Sequence, residues 1–224
     1  MLRVGLTGGI ACGKSTVGQM LVARGAHYLS ADELAHQLYA PGAEVYDAVV
    51  DHFGREIINS DGTVNRKKLA SIVFPARIGE LNAIVHPAVV AAQKRWMAGM
   101  ATTNPDGIAV VEAALLLEAG AQKDFDKILV VTCDLERKVQ RYAQRMGLPV
   151  ESARAEVARR GAVQMSDQQK SATADYVIDN SRSLEDTERQ VGLVWAQLQE
   201  KQNQLFLPQS ELKAHYNQVF VDHF

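Results

Sequence analysis

The feature that most constrains this chain is the run GLTGGIACGKST, residues 5–16. Gly8, Gly13, Lys14 and Ser15 match the pattern G-x-x-x-x-G-K-[ST], which follows the apolar run LRVGLT and precedes the helical pattern STVGQMLVARG. This order predicts a strand, a phosphate-binding loop and a helix, because glycines let backbone N–H groups wrap a phosphate chain and the helix N-terminus adds a positive dipole end. In such loops the lysine reaches the β- and γ-phosphates, and the serine hydroxyl binds Mg²⁺. The alternative is a glycine-rich turn that binds no ligand.

The other loop residues expected to contact ATP are Gly9, Ala11, Cys12 and Thr16. Cys12 leaves two interpretations open. A cysteine near a helix N-terminus can have a lowered pKa and a reactive thiol. The alternative is that the loop only needs a small residue at this position.

Other features select among the classes of protein that share such a loop. A GTPase needs the guanine-reading motif N-K-x-D, which the sequence lacks. Motor ATPases are usually longer and carry an Asp-Glu pair after a strand, whereas Glu112 alone ends the third predicted strand here. This favours a small kinase in which Glu112 positions Mg²⁺ through water. A P-loop switch or binding module, or a chain with only a structural role, are the alternatives from other classes.

Short apolar runs alternate with longer helical patterns along the chain. The predicted strands are LRVGLT, HYLSAD, GIAVVEA, DKILVVTCD and ADYVIDN. Continuous apolar strands between helices are typical of a parallel sheet that is covered on both faces. We therefore predict an α/β fold, the three-layer sandwich of P-loop NTPases, with a five-stranded parallel sheet, a helical substrate domain and a small helical lid.

The 224 residues fit one domain with insertions better than two independent domains. The predicted core covers about residues 1–40, 105–135 and 172–200, with a helical acceptor-binding insertion at about 41–104 and a lid at about 136–171. Within the insertion, Asn65 is predicted to cap a helix and Pro87 to kink or end one. A C-terminal extension covers about residues 201–224; from Pro208 onward it has no clear periodicity and is expected to form a docked short helix or an unstructured end.

Asp32 closes the second predicted strand run, HYLSAD, directly after HYLS and Ala31. The carboxyl ends of parallel strands form the ligand crevice, so an aspartate there can accept a hydrogen bond from an attacking hydroxyl or act as a base. The alternative is that Asp32 only caps the helix ELAHQLY, because Asp is a favourable N-cap.

The segment between the fourth and fifth strands is strongly basic. Arg141 and Arg145 are four residues apart and share one helix face, where two guanidinium groups suit a transferring phosphoryl group. The alternative is a solvated helix, because charged residues are mostly exposed. The eight cationic residues of the segment are Arg137, Lys138, Arg141, Arg145, Arg154, Arg159, Arg160 and Lys170.

The overall composition gives no sign of a nucleic-acid or membrane partner and favours a reducing compartment. The formal net charge of -2 and the pI of about 6.3 give no sign of a nucleic-acid partner or an anionic membrane surface. No apolar run is long enough to span a membrane. Two isolated cysteines indicate a reducing compartment, so we expect a cytoplasmic protein that is a monomer or a weak homo-oligomer.

Eight segments, taken in order, resemble the dephospho-coenzyme A kinase family. The resemblance covers about residues 2–195 and implies that ATP, with Mg²⁺, phosphorylates the ribose 3′-hydroxyl of dephospho-coenzyme A in the last step of coenzyme A synthesis. Another small-molecule or nucleotide kinase of the same fold is the alternative. The segments are LTGGIACGKSTV, SADELAHQL, HFGREIINSDGTVNRKKLASIVF, LNAIVHP, VVEAALLLEAG, DKILVVTCD, QRYAQRMGL and RRGAVQMSDQQKSATADYVIDNS.

The resemblance also implies roles for individual residues. Asp32 would orient the acceptor hydroxyl, the lid arginines would be Arg141 and Arg145, and Asn180 would lie on the adenine side. From the residues alone, His86 has either a structural or a functional role; the resemblance favours a substrate-side one. The chain departs from the family's D-x-P-L-L-x-E at Glu112 and Ala114. The further residues that the resemblance places on the substrate side are Thr7, Leu115, Arg160 and Gln164.

Overall fold

The computed structural model describes residues 1–74 and 76–206. Within these residues, the chain forms five strands and nine α-helices. The strands are β1 (Leu2–Gly8), β2 (His27–Ser30), β3 (Ile108–Glu112), β4 (Lys127–Thr132) and β5 (Tyr176–Asp179). The helices are α1 (Lys14–Val22), α2 (Ala31–Leu38), α3 (Tyr46–Phe53), α4 (Arg66–Val73), α5 (Ile78–Thr103), α6 (Leu135–Met146), α7 (Val150–Gly161), α8 (Asp167–Ala172) and α9 (Leu184–Phe206).

The five strands form one parallel sheet in the order β2-β3-β1-β4-β5. β1 lies at the centre, with Leu6 in register with Glu112 of β3 and with Leu129 of β4. Because the sheet is parallel, the carboxyl ends of these strands lie along one edge, where the loop after β1 begins. The predicted α/β fold with a five-stranded parallel sheet is confirmed.

The principal core forms between the central strands and the helices α1 and α9. Val4, Leu6 and Leu129 are fully buried in it, and so are Leu21 of α1 and Leu198 of α9. Full burial of each such aliphatic side chain stabilises the folded state by about 1.5–3 kcal/mol. All residues of β1 except Arg3 are buried, so the phosphate loop begins from a strand that is packed on both faces.

The described chain divides into two compact units. Of the described residues, 1–28 and 100–206 belong to one unit, and 29–99 belong to the other. The second unit is helical, as predicted for this part of the sequence. The finer predicted division into core, insertion and lid stays a prediction, and the predicted form of the tail beyond residue 206 lies outside the described residues.

The structure tests two local predictions in the helical unit, one at Asn65 and one at Pro87. The side chain of Asn65 accepts a 3.0 Å hydrogen bond from the N–H of Lys68, so the predicted cap of α4 is confirmed. Pro87 does not end a helix, because α5 runs through it, and the alternative, a kink at this residue, stays a prediction. Proline deprives the carbonyl of Ala83 of an intrahelical donor, but both residues are exposed and water can replace it.

The polar segment after β4 forms three helices. The segment LERKVQRYAQRM, which holds the helix face predicted for Arg141 and Arg145, coincides with α6, and residues 150–172 form two further helices, α7 and α8. The division occurs because Ser166 begins α8 with a capping box, in which its side chain and that of Gln169 satisfy each other's backbone N–H groups. No helix in the described part of the chain has the length and the hydropathy that crossing a membrane requires.

Candidate active site

The loop between β1 and α1 depends on close approaches that only glycine permits. A Cβ atom on Gly8 would lie 2.2 Å from the carbonyl oxygen of Val131. Gly13 has a φ of 94°, and a Cβ there would lie 2.1 Å from the Asn180 amide nitrogen. Ala11 also has a positive φ, 54°, a conformation that alanine adopts at some cost and that often marks a functional loop.

The N-terminus of α1 has the properties of an anion site. Within the described residues it has no side-chain cap and no acidic residue in its first turn. The N–H groups of Lys14, Ser15 and Thr16 have no acceptor within the helix, because the first turn of any helix leaves its donors free. Lys14 Nζ donates to the carbonyl oxygens of Gly8 and Gly9 at 3.2 and 3.3 Å, so its ammonium group lies against the loop.

Asn180 and Arg141 support the far end of the loop. Asn180 is buried, and its amide nitrogen donates to the Cys12 carbonyl oxygen at 2.8 Å. Arg141 donates to the same carbonyl at 3.3 Å and to the Asn180 Oδ1 at 3.3 Å. The Thr187 hydroxyl donates a 2.9 Å hydrogen bond to the Asn180 Oδ1. The Asn180 side chain therefore supports the loop, and its predicted place on the adenine side stays a prediction.

Two residues predicted on the substrate side, Gln164 and Thr7, form hydrogen bonds at the start of the loop. The Gln164 side chain accepts a 3.1 Å hydrogen bond from the N–H of Ile10. The buried hydroxyl of Thr7 donates to the carbonyl oxygen of Ala114 at 3.4 Å. Both side chains hold the loop in place, while their contacts with a substrate stay predictions.

The other predicted arginines are separated from the loop contacts of Arg141. The Arg145 guanidinium lies 5.4 Å from the Tyr142 ring centroid, and that of Arg160 lies 5.7 Å from the same ring. Arg160 also donates to Glu156 at 2.6 Å. The Tyr142 side chain belongs to an apolar cluster of α6 and α7 that packs against Ile10 and Ala11. Arg145 and Arg160 thus both lie near one aromatic ring whose cluster contacts the loop.

Glu112, which is predicted to position Mg²⁺ through water, is buried at the end of β3. Its carboxylate accepts a hydrogen bond from the hydroxyl of Tyr28. Ser15, the predicted Mg²⁺ ligand, is exposed. Among the described residues, no three His, Cys, Asp or Glu side chains group together as a metal cage. These donors suit Mg²⁺, which binds few protein ligands and is held largely by phosphates and water.

The thiol of Cys12 does not have the lowered pKa that one interpretation of the sequence suggested. The side chain is fully buried. Burial raises its pKa, although the positive charge of Lys14 acts in the opposite direction. The loss of water around the thiol outweighs both this charge and the backbone hydrogen bond from Lys14, so the pKa lies above its ordinary value. The alternative, a small residue that fits the loop, agrees with the structure.

In the helical unit, Asp32 lies in the first turn of α2 with an exposed carboxylate. The idea that Asp32 caps this helix is wrong, because the Ser30 hydroxyl is the cap and accepts a 3.3 Å hydrogen bond from the N–H of Glu33. One turn later, His36 Nδ1 lies 3.0 Å from an Arg66 nitrogen. Burial and the Arg66 charge lower the pKa of His36, against the effect of Asp32.

Two further predicted residues are exposed. His86 lies on α5 in the helical unit, and Leu115 follows β3 with 45% of its surface accessible. Exposure leaves both side chains available to a substrate, and their predicted roles stay predictions.

Sequence reasoning missed two charged pairs beside the phosphate loop. Lys138 forms a 2.6 Å ion pair with Asp167, and a Cβ on Gly9 would lie within 3.0 Å of both side chains. Lys170 is fully buried and pairs with Glu118 at 2.8 Å. No sequence pattern links these partners, because 29 and 52 residues separate them.

Comparisons with known proteins identify the family to which the chain is similar. The sequence profile described as CoaE, dephospho-CoA kinase, matches residues 2–186. A dephospho-CoA kinase of Streptomyces avermitilis is 40% identical over 206 residues, which cover 91% of this chain and 97% of the relative. A Thermus thermophilus protein of known structure is 33% identical with a TM-score of 0.70 and covers 88% of this chain and 97% of its own. The dephospho-CoA kinase from Campylobacter jejuni is 25% identical with a TM-score of 0.65, covering 89% and 98%.

Proposed function

The chain belongs to the dephospho-CoA kinase family, and from that premise we infer that it transfers the γ-phosphoryl group of ATP to the ribose 3′-hydroxyl of dephospho-coenzyme A. The products are coenzyme A and ADP. The observation that carries this conclusion is the match of the family profile to residues 2–186, supported by the uncapped N-terminus of α1 behind an intact phosphate loop. The chain is accordingly a phosphotransferase of coenzyme A biosynthesis.

The donor side is supplied by the loop and its supports. Backbone N–H groups at the start of α1 and the ammonium group of Lys14 bind the phosphates of ATP. Mg²⁺, bound at the Ser15 hydroxyl with Glu112 acting through water, would neutralise charge on the β- and γ-phosphates. Arg141 lies at the loop, where its guanidinium can stabilise the charge on the transferring phosphoryl group.

The acceptor side is assigned to Asp32. Its carboxylate is exposed and is not occupied by capping α2, because Ser30 fulfils that role. Asp32 accepts the proton of the 3′-hydroxyl. At the same time the hydroxyl oxygen bonds to the γ-phosphorus, and the bond between that phosphorus and the leaving ADP breaks. Phosphoryl transfer depends mainly on positioning and charge stabilisation, so orientation of the hydroxyl is the larger part of this role. His86 and Leu115 are further proposed contacts of the acceptor.

Location and assembly are parts of the same proposal. Both cysteines of the chain are buried and unpaired, which supports a reducing compartment and hence the cytoplasm. We propose a monomer or a weak homo-oligomer as the active form.

The acceptor distinguishes this function from that of another kinase of the same fold. ADP release is measured by a coupled assay with ATP, Mg²⁺ and one acceptor at a time: dephospho-coenzyme A, adenosine, AMP or shikimate. We expect rapid release with dephospho-coenzyme A and a rate near the acceptor-free background with the others. A preference for any of the other three would contradict the proposal.

A further inference from the structure

The buried pair Lys170 and Glu118 lies outside the residues assigned to substrates above. Lys170 has no exposed surface, and its Nζ donates to Glu118 Oε1 at 2.8 Å. It also donates to the carbonyl oxygen of Ala114 at 3.2 Å. Glu118 Oε1 accepts a second hydrogen bond, 2.8 Å long, from the N–H of Met165. The pair thus joins residues 113–120, which follow β3, to residues 162–166, which precede α8.

Both joined segments contact the phosphate loop. The Ala114 carbonyl that Lys170 binds also accepts the hydroxyl of Thr7, the residue directly before Gly8. Gln164, the residue before Met165, accepts the N–H of Ile10. The hydrogen bonds therefore close a ring that starts at one end of the segment Thr7–Ile10, passes through the ion pair and returns to its other end.

Fold stability alone does not explain this pair. A buried ion pair is a weak source of stability, because the loss of hydration of two charges offsets their attraction, and apolar replacements of similar volume are often neutral. Within the described residues, Glu118 Oε2 is buried without a hydrogen-bond partner, which adds a further penalty. What the pair supplies is a directed bond to each of two segments beside the loop.

We propose that Lys170 and Glu118 are positioning residues for phosphoryl transfer, which hold the two segments that flank the phosphate loop. Residues 113–120 leave β3 at the sheet edge where parallel strands bind their ligands. A displacement of about 1 Å in a reacting group can reduce a rate by about 10²-fold. The pair acts through Ala114, Met165 and Gln164 and does not touch the substrates itself. This inference rests on the proposed kinase activity.

The test separates positioning from stability with a neutral replacement of both partners. Lys170→Met and Glu118→Gln are made singly and together, and Glu118→Gln retains an oxygen that can accept the Met165 N–H. Each single variant breaks the pair and is expected to lower stability, whereas the double variant removes both charges and is expected to regain it. A matched control is Lys127→Met, which breaks the 2.6 Å pair between Lys127 and Asp175 at the amino end of β4.

The readouts are the unfolding midpoint, kcat and KM with dephospho-coenzyme A, and the Kd of a non-hydrolysable ATP analogue. We expect kcat to fall by about 10-fold or more in the double variant and in Glu118→Gln, with the analogue Kd changed by less than about 3-fold. The control should keep its kcat. A double variant with the kcat of the wild type, or a control with the same loss, would overturn the positioning role. A wild type that releases no ADP with dephospho-coenzyme A would instead refute the proposed function.

Discussion

The side-chain amide of Asn180 donates a 2.8 Å hydrogen bond to the backbone carbonyl of Cys12, which lies 168 residues earlier in the chain. This bond brings the residue after β5 against the loop after β1. It also requires glycine at the next position, because a Cβ on Gly13 would lie 2.1 Å from the same amide nitrogen. The geometry of the loop therefore depends both on glycine at position 13 and on the side-chain amide of Asn180.

Gly13→Ala should disrupt both the loop and its support. Alanine in a left-handed conformation costs about 1–2 kcal/mol by itself. The added methyl also displaces Asn180, and losing that bond costs about 1–3 kcal/mol more. The matched control is Gly147→Ala, because Gly147 has a φ of 62° but open space around it. Urea unfolding measures the loss of stability, and binding of an ATP analogue measures the loss of loop geometry. If Gly13→Ala were no more destabilised than Gly147→Ala and bound the analogue as tightly as the wild type, the account would be contradicted.

Arg141 should contribute more to turnover than Arg145. Its guanidinium contacts the Cys12 carbonyl, whereas that of Arg145 lies over the Tyr142 ring. We expect Arg141→Ala to lower kcat by about 10²-fold, the size of effect seen when a charge-stabilising donor is removed. Arg145→Ala is the matched control, with the smaller loss. If Arg141→Ala changed only KM, the group would bind substrate without stabilising the transition state.

The carboxyl group of Glu118 should make stability depend on pH. Burial acts to raise its pKa, but the hydrogen bonds from Lys170 and from the backbone outweigh burial and keep the pKa below the usual 4.5. The unfolded carboxyl therefore takes up a proton at a higher pH than the folded one, so its contribution is present above about 4.5 and lost as pH falls through the folded value.

We therefore expect Glu118→Gln to be less stable than the wild type at neutral pH, with the difference shrinking as the pH falls below about 4.5. Chemical unfolding as a function of pH measures this difference. A difference that stays constant across the range would show that the ionised carboxylate is not what stabilises the fold.

The predictable parts of this molecule come from local patterns. The run LERKVQRYAQRM coincides with α6, and the order of strand, glycines, lysine and helix located the phosphate loop, because both depend on residues close in sequence. The alternative that Asp32 caps α2 is wrong for a local reason as well. Ser30 and Asp32 are both favourable caps, and only the observed end of β2 at Ser30 decides between them.

The missed parts join residues that are distant in sequence. Nothing in the segment DQQK reveals that Lys170 is buried, since lysine is usually exposed, and nothing links it to Glu118. The raised pKa of Cys12 likewise follows from burial, which the sequence of the loop alone does not show. Such contacts are consequences of how the sheet brings its carboxyl ends together.

Asp32→Asn tests the assignment of the acceptor side. Asparagine keeps the shape of the side chain but cannot take the hydroxyl proton, so kcat should fall by about 10²-fold or more while an ATP analogue still binds. Asp47→Asn is the matched control, because Asp47 is also exposed in the first turn of a helix in the same unit. Near-normal turnover of Asp32→Asn would refute the role proposed for this carboxylate.

The most direct test of the central claim follows the phosphoryl group itself. The wild-type protein is incubated with dephospho-coenzyme A and ATP labelled at the γ-phosphate, and the labelled products are separated and identified. The account predicts that the label appears in coenzyme A, on the 3′-oxygen of the ribose, in amounts equal to the ADP released. Label found only in inorganic phosphate, or on another acceptor in preference to dephospho-coenzyme A, would contradict it.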